Sequence, residues 1–223
     1  TLATHPWPVD MLQMRDVYVS DHFGLKINGA SIGDNVGNAI YARTGNGIVY
    51  DGAVRDVNGL REMENFTSFF RVYDPGHHFG RAAEGNQINS TLVAINSPTR
   101  IGAVLVMPGD VILGRDGIVM AIPPQLALQV VQDSERTHLR DLFGHQRLAE
   151  KKYTAGQIDG AWAPEIEADY DQWLKDNAGK LDIPRDAGQA IITERANRPA
   201  GGRGGRGAAP AAAGTGPRPA KAQ

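Results

Sequence analysis

Gly33-Asp34-Asn35-Val36-Gly37-Asn38-Ala39-Ile40, followed after a short gap by Ile48-Val49-Tyr50-Asp51-Gly52-Ala53-Val54-Arg55-Asp56, alternates the punctuation of a helix with that of a strand. Val36, Ala39, Ile40 and Arg43 recur at helical spacing, and Gly45 stands where a left-handed residue ends a helix. Ile48-Val49-Tyr50 reads as a short buried strand, and Asp51-Gly52 reads locally as the turn that follows it. A second short helix is expected after Asp56, with Leu60 and Met63 on one face.

Working outward, short apolar runs bounded by Gly, Pro or Asp mark further strands at Val17–Val19, Phe69–Tyr73, Ala103–Met107, Val111–Leu113 and Ile118–Ile122. Strands interleaved with short helices imply an α/β domain. Beyond Pro123-Pro124 the pattern turns helical. Leu126, Val130 and Val131 begin one apolar stripe, and Ile166, Tyr170, Trp173 and Leu174 form a second at i, i+4, i+7, i+8. That second face must cover its own domain or a neighbouring subunit.

From Pro199 to Gln223 the chain is almost only Gly, Ala, Pro, Arg and Lys, too poor in apolar area to offset its chain entropy, and is expected to be a disordered, solvated tail. The expected organisation is a domain over 1–133, a helical extension over 134–198 and the tail over 199–223. The chain begins at Thr1 rather than Met, which leaves room for an upstream segment.

Composition narrows the functional classes. With 223 residues, 41% of them hydrophobic, the chain buries one sizeable core. A net charge of -2 gives no global field for nucleic acid or an anionic membrane, and no apolar run is long enough for a membrane span. The absence of cysteine excludes disulfides, thiolate nucleophiles and zinc–thiolate sites.

Asp34 falls just before one helix and Asp56 at the start of the next, with Arg55 beside it. Helix N-termini favour anions, and two acids flanking a fixed cation can hold a divalent metal together with a 2-oxo acid. Taken singly, each residue also has an ordinary use. Asp34 could be an N-cap worth about 1 kcal/mol, and Arg55-Asp56 a solvated pair worth about 0–1 kcal/mol. His77-His78 reads as part of a loop, since adjacent histidines point in different directions, while His138 and His145 read as structural.

The combination is more specific than its parts. Gly33-Asp34-x-x-x-x-Ala39, then Asp51-Gly52-Ala53-Val54-Arg55-Asp56, resembles the family of the regulator of ribonuclease activity A and the 4-hydroxy-4-methyl-2-oxoglutarate aldolases. The likeness continues through Asn96-Ser97-Pro98-Thr99-Arg100-Ile101-Gly102, Val106-Met107-Pro108-Gly109-Asp110-Val111, Asp116-Gly117-Ile118-Val119 and Ile122-Pro123-Pro124.

This resemblance implies an α/β sandwich of the swivelling-domain type, assembled as trimers or hexamers with sites between subunits. It implies that Asp56 ligates Mg²⁺ or Mn²⁺, with waters filling other positions. Arg55 grips the pyruvyl carboxylate or enolate, and Asp34 orients a catalytic water. Gly33, Asn35, Val36 and Gly37 line the substrate carboxylate, with the N–H groups of Asn35 to Gly37 facing it.

The implied activity is that of a metal-dependent carbon–carbon lyase, an aldolase and oxaloacetate decarboxylase acting through a pyruvate enolate. The alternative is a non-catalytic, trimeric, protein-binding regulator of the ribonuclease-inhibitor type. Such regulators resemble this chain but carry an amide where Asp34 stands, so the acid favours an enzyme. Three departures from the pattern are a long connection over 74–95, the near absence of the usual portion before Asp16 and the helical extension. The resemblance favours a cytoplasmic protein, and an upstream segment would leave an exported form open.

Overall fold

The computed structural model describes residues 6–25, 30–76, 79–82, 85–88 and 92–198. In chain order the elements are α1 (Pro6–Met11), β1 (Tyr18–Leu25), α2 (Asp34–Thr44), β2 (Ile48–Val54), α3 (Val57–Arg61), β3 (Ser68–Tyr73), β4 (Phe79–Ala82), β5 (Gly85–Ile88), β6 (Thr99–Ile101), β7 (Val104–Val106), β8 (Val111–Arg115), β9 (Ile118–Ile122), α4 (Pro124–Ala149), α5 (Ala155–Asp159), α6 (Pro164–Asn177) and α7 (Arg185–Ala196). The architecture is mixed α/β, in two compact units, one ending at Ala127 and one beginning at Leu128. Among the described residues no sheet closes into a barrel, and no helix is long and apolar enough to cross a membrane. The 199–223 segment and His77-His78 lie outside the described residues.

In the first unit β1, β2 and β3 form a parallel sheet with β2 in the centre. Parallel neighbours need crossover connections, and α2 and α3 supply them. All seven residues of β2 are buried, as a central parallel strand covered on both faces should be. The core gathers Val9, Ile32, Ile40, Ile48, Tyr50, Val54, Leu60 and Phe66. α2 and α3 approach closely at Gly37, where a Cβ would lie 2.4 Å from Leu60 Cδ2.

The turn expected at Asp51-Gly52 is instead the interior of β2, where Asp21 and Asp51 are paired between β1 and β2. Tertiary partners override the local turn signal. Asp51 is buried and its carboxylate accepts from Arg71 Nε, from Arg71 Nη2 at 3.1 Å and from the Gly102 N–H at 2.9 Å.

The expected long connection over 74–95 contains the antiparallel hairpin β4–β5. The hairpin β8–β9 is apolar on both faces. Gly114 lies against Phe69, where a Cβ would come 2.4 Å from Cε2, while Val111, Leu113, Ile118 and Met120 share the opposite, exposed face.

The second unit is helical. The face of Ile166, Tyr170, Trp173 and Leu174 on α6 is buried against Leu139, Phe143, Trp162 and Ile191, so it covers its own unit rather than a neighbouring subunit. Phe143 is the hub, with ring centroids 5.2 Å from both Trp162 and Tyr170 and 5.9 Å from Trp173. The indole N–H groups donate to Ile158 O at 2.8 Å and Gln146 Oε1 at 2.7 Å, which lets both tryptophans be buried. By contrast, Leu126, Val130 and Val131, expected to pack as a stripe, are exposed on α4.

Candidate active site

The site forms where two stretches of chain meet. Ile32 bridges Val54 in parallel register, and the Arg55 N–H donates to the Ile32 carbonyl at 2.9 Å. This bond sets Gly33-Asp34, at the start of α2, beside Arg55-Asp56, at the end of β2.

Two glycines make the approach close enough. At Gly33 a Cβ would lie 2.5 Å from Asp56 Oδ2 and 3.0 Å from Arg55 Cζ. At Gly59 on α3 it would lie 2.8 Å from Asp34 Cβ and 3.2 Å from Asp34 Oδ2. The Arg55–Asp56 pair thus packs over Gly33 and Asp34 packs over Gly59, so the three side chains gather where β2, α2 and α3 meet, a junction called the cleft from here on.

Asp56 precedes α3 in the left-handed region, with φ 54, and its carboxylate makes no capping bond to that helix. Instead it accepts from Arg55 Nη1 at 2.6 Å, with the Arg55 and Asp56 side chains 23% and 39% exposed. The Arg55 Nε is buried and has no partner among the described residues. The guanidinium therefore has donor capacity beyond its bond to Asp56, and charge-assisted bonds to carboxylates are the strong use of it.

The Asp34 carboxylate accepts from its neighbour's Asn35 N–H at 2.7 Å, and the Gly37 N–H donates to Gly33 O at 2.9 Å. Of the three N–H groups expected to face a substrate carboxylate, those of Asn35 and Gly37 are thus engaged within the chain. Asn38 Nδ2 donates to Asp34 O at 2.9 Å and stiffens the first turn.

Among the described residues no three His, Asp or Glu side chains gather into a metal cage. The Asp56 carboxylate, on a side chain 39% exposed, is an oxygen ligand of the kind taken by Mg²⁺ or Mn²⁺, hard cations that keep part of their hydration shell.

A second polar group, not singled out in the sequence, lies behind this cleft. The Tyr50 hydroxyl hydrogen-bonds both Ser31 Oγ and His22 Nδ1. Burial pushes the Tyr50 phenol well up, partly offset by the Ser31 bond, and burial pushes the His22 imidazole down against the opposing effect of Asp21. The Arg71 hydrogen bond and the Gly102 N–H hold Asp51 below the ordinary carboxylate value, opposed by its burial. Period-two patterning shows none of this, because Ser20-Asp21-His22 lacks apolar alternation and its partners lie far along the chain.

The family model for RraA-like proteins, described as Aldolase/RraA, matches residues 7–120 and takes in every residue of the cleft. The chain belongs to the RraA-like family. A solved structure of an uncharacterized protein from Pseudomonas syringae pv. tomato str. DC3000 superposes with TM-score 0.55 at 21% identity, covering 71% of this chain and 72% of that one. Streptomyces coelicolor RraAS2, an unusual member of the RNase ES inhibitor RraA protein family, superposes with TM-score 0.52 at 23% identity, covering 63% of this chain and 67% of that one. The RNA-processing inhibitor RraA from Thermus thermophilis matches with TM-score 0.41 at 21% identity, over 52% of this chain and 63% of that one. At such identities the likeness to solved structures is one of fold. The RraA-like family holds both aldolases and ribonuclease inhibitors, so the choice between them rests on the cleft.

Proposed function

We propose that this RraA-like chain is a divalent-metal-dependent lyase that cleaves a 2-oxo acid, such as 4-hydroxy-4-methyl-2-oxoglutarate or oxaloacetate, to pyruvate. The observation that supports the reading is the packing of Asp34 on Gly59 and of the Arg55–Asp56 pair on Gly33, from separate stretches of chain, with the Arg55 Nε unpaired among the described residues.

Mg²⁺ or Mn²⁺ held through Asp56 and waters would supply Lewis-acid polarisation of the 2-oxo group. Arg55 binds the substrate carboxylate and stabilises the negative charge that develops as the carbon–carbon bond breaks. In aldol cleavage the 4-hydroxyl gives its proton to the water held at Asp34, the C3–C4 bond breaks and its electron pair stays on pyruvate enolate. In decarboxylation departing carbon dioxide leaves the same pair behind. Asp34 holds the water that returns a proton to C3. The Val36 N–H, at the positive end of α2, adds a donor for the carboxylate.

In this reading residues 1–133 are the metal and 2-oxo-acid domain, of swivelling sandwich type, 134–198 are a helical extension, and the assembly is a trimer or hexamer. The exposed apolar face of Val111, Leu113, Ile118 and Met120 supports the assembly. It equally favours the second reading, a partner-binding regulator that uses the fold as a scaffold.

The full chain incubated with Mg²⁺ and oxaloacetate or a 4-hydroxy-2-oxo acid, with pyruvate followed by a coupled assay, separates the two. The lyase loses turnover and Mn²⁺ binding in Asp56→Ala, whereas the regulator keeps its partner. Absence of metal-dependent turnover on every such acid refutes the lyase.

A further inference from the structure

Gly33 and Asp34 are delivered to the cleft by the segment Ala30-Ser31-Ile32. Its backbone is joined to β2 by the single bridge between Ile32 and Val54 and by the bond from the Arg55 N–H to Ile32 O, and the Ala30 N–H donates to Gly76 O at 2.9 Å. Between those backbone anchors, the Ser31 side chain reaches the Tyr50 hydroxyl, which meets His22 Nδ1 on its other side.

Tyr50 is 3% exposed and belongs to the same core cluster as Ile32 and Val54, so its ring cannot follow a moving segment. Gly52 leaves room for the pair: a Cβ there would lie 2.7 Å from Tyr50 Cε1 and 2.8 Å from His22 Cβ. A phenol hydroxyl has one proton and can accept another, while Ser and neutral His can each donate or accept. Each polarity of the Ser31–Tyr50–His22 chain therefore satisfies the phenol on both sides. His22 Nε2 is buried without a partner among the described residues, so Tyr50 is the polar contact that orients this imidazole.

We propose that Tyr50 is a positioning residue for the cleft: oriented by His22, its hydroxyl pins Ser31 and thereby holds Gly33-Asp34 at a fixed distance from Arg55-Asp56. The tether stands on the geometry alone. Its catalytic consequence rests on the lyase reading above.

The test uses the full chain with Tyr50→Phe, Ser31→Ala and the double variant. Two amides report the registration of the segment by hydrogen exchange: Arg55, bonded to Ile32 O, and Gly37, bonded to Gly33 O. Val49, in β2 and flanked by Val19 of β1 and Phe69 of β3, serves as the internal reference. Each single variant should speed exchange at Arg55 and Gly37 by about tenfold or more relative to Val49, and the double should do no more than either single, because one bond has been cut twice.

Turnover of oxaloacetate should fall in kcat by about 10- to 100-fold, as a misplacement of order 1 Å demands. KM should change by less than about threefold, because Arg55 and Asp56 are untouched. Exchange at Arg55 and Gly37 that stays at the wild-type rate in both single variants, or effects that multiply in the double, overturn the proposal. Should Tyr50→Phe loosen the whole core, Val49 included, the smaller change Ser31→Ala decides. Should the wild type show no turnover, the lyase reading falls, and the exchange result alone upholds or overturns the tether.

Discussion

Replacing Gly33 by alanine places one methyl group in the cleft and little strain elsewhere. The backbone at 33 is extended, φ −125 and ψ −168, a conformation alanine adopts freely. Loss of glycine's freedom in the unfolded chain would stabilise the fold by about 0.4–1 kcal/mol. Against this, the new Cβ lies 2.5 Å from Asp56 Oδ2, 3.0 Å from Arg55 Cζ and 3.1 Å from Arg55 Cγ. Non-bonded atoms settle near 3.5 Å, so the carboxylate must retreat by about 1 Å.

With 39% of its side chain exposed, Asp56 can swing toward solvent and release its 2.6 Å bond to Arg55. A partly exposed pair of this kind contributes about 0–1 kcal/mol. The two contributions nearly cancel, and the melting temperature should move by less than about 4 °C. A displacement of about 1 Å at a reacting centre costs about 100-fold in rate. Gly33→Ala should therefore fold normally, weaken Mn²⁺ binding measured by titration calorimetry, and lose about two orders of magnitude in kcat/KM for pyruvate release. Wild-type metal affinity together with wild-type turnover would refute the argument that Gly33 exists to admit the Arg55–Asp56 pair. A collapse in melting temperature would show instead that the methyl group is resisted by the core.

Four further outcomes are expected. Arg55→Lys should keep the fold and metal affinity yet lose the planar fork, lowering turnover by at least the ~1.5–3 kcal/mol of a charge-assisted bond; single-turnover kinetics will show whether the loss lies in chemistry. Phe143→Ala, at the centre of the helical unit's aromatic cluster, should cost about 3–5 kcal/mol in denaturant unfolding followed by tryptophan fluorescence. Because burial lowers the His22 pKa, the unfolded chain binds this proton more readily: stability from His22 is complete above about pH 6.5 and is lost as pH falls from there through the folded-state pKa. Comparing His22→Gln with wild type across that window should show the pH dependence shrink. Leu113→Asp, on the exposed face of β8–β9, should lower the mass measured by light scattering without lowering helix content.

The placement of Asp34 and Asp56 at the ends of regular elements was legible in the sequence because its signals are local. Gly45 does end α2, in the left-handed conformation with φ 69, and Asp56 does precede α3. The spacing of Val36, Ala39 and Ile40 marked a real helix, and Phe69–Tyr73 and Ile118–Ile122 marked real strands. What stayed hidden depends on partners distant in sequence. Asp51-Gly52 looks like a turn until Arg71 and Gly102 are known to meet the carboxylate. β1 continues through Ser20-Asp21 because its ladder to β2, not its side-chain pattern, carries it on, and His22 falls in the irregularity that follows. Gly59 drew no notice, since nothing in the sequence announces that Asp34 rests on it. The exposed stripe on α4 shows the reverse: periodicity reports amphipathicity, not what covers it.

The left-handed backbone at Asp56 bears on how such a chain changes over generations. Asparagine and aspartate visit this conformation at modest cost, glycine at none, and glycine's extra freedom in the unfolded chain cancels most of its advantage. Since the Asp56 side chain caps nothing in α3, the folded state is close to indifferent between an acid and a glycine at this position. Drift could erase the carboxylate without a folding defect to expose it, leaving an intact scaffold with no cation site. In a lineage where position 56 stays acidic, the bond to Arg55 and, on the lyase reading, the chemistry of the cleft are what would keep it so.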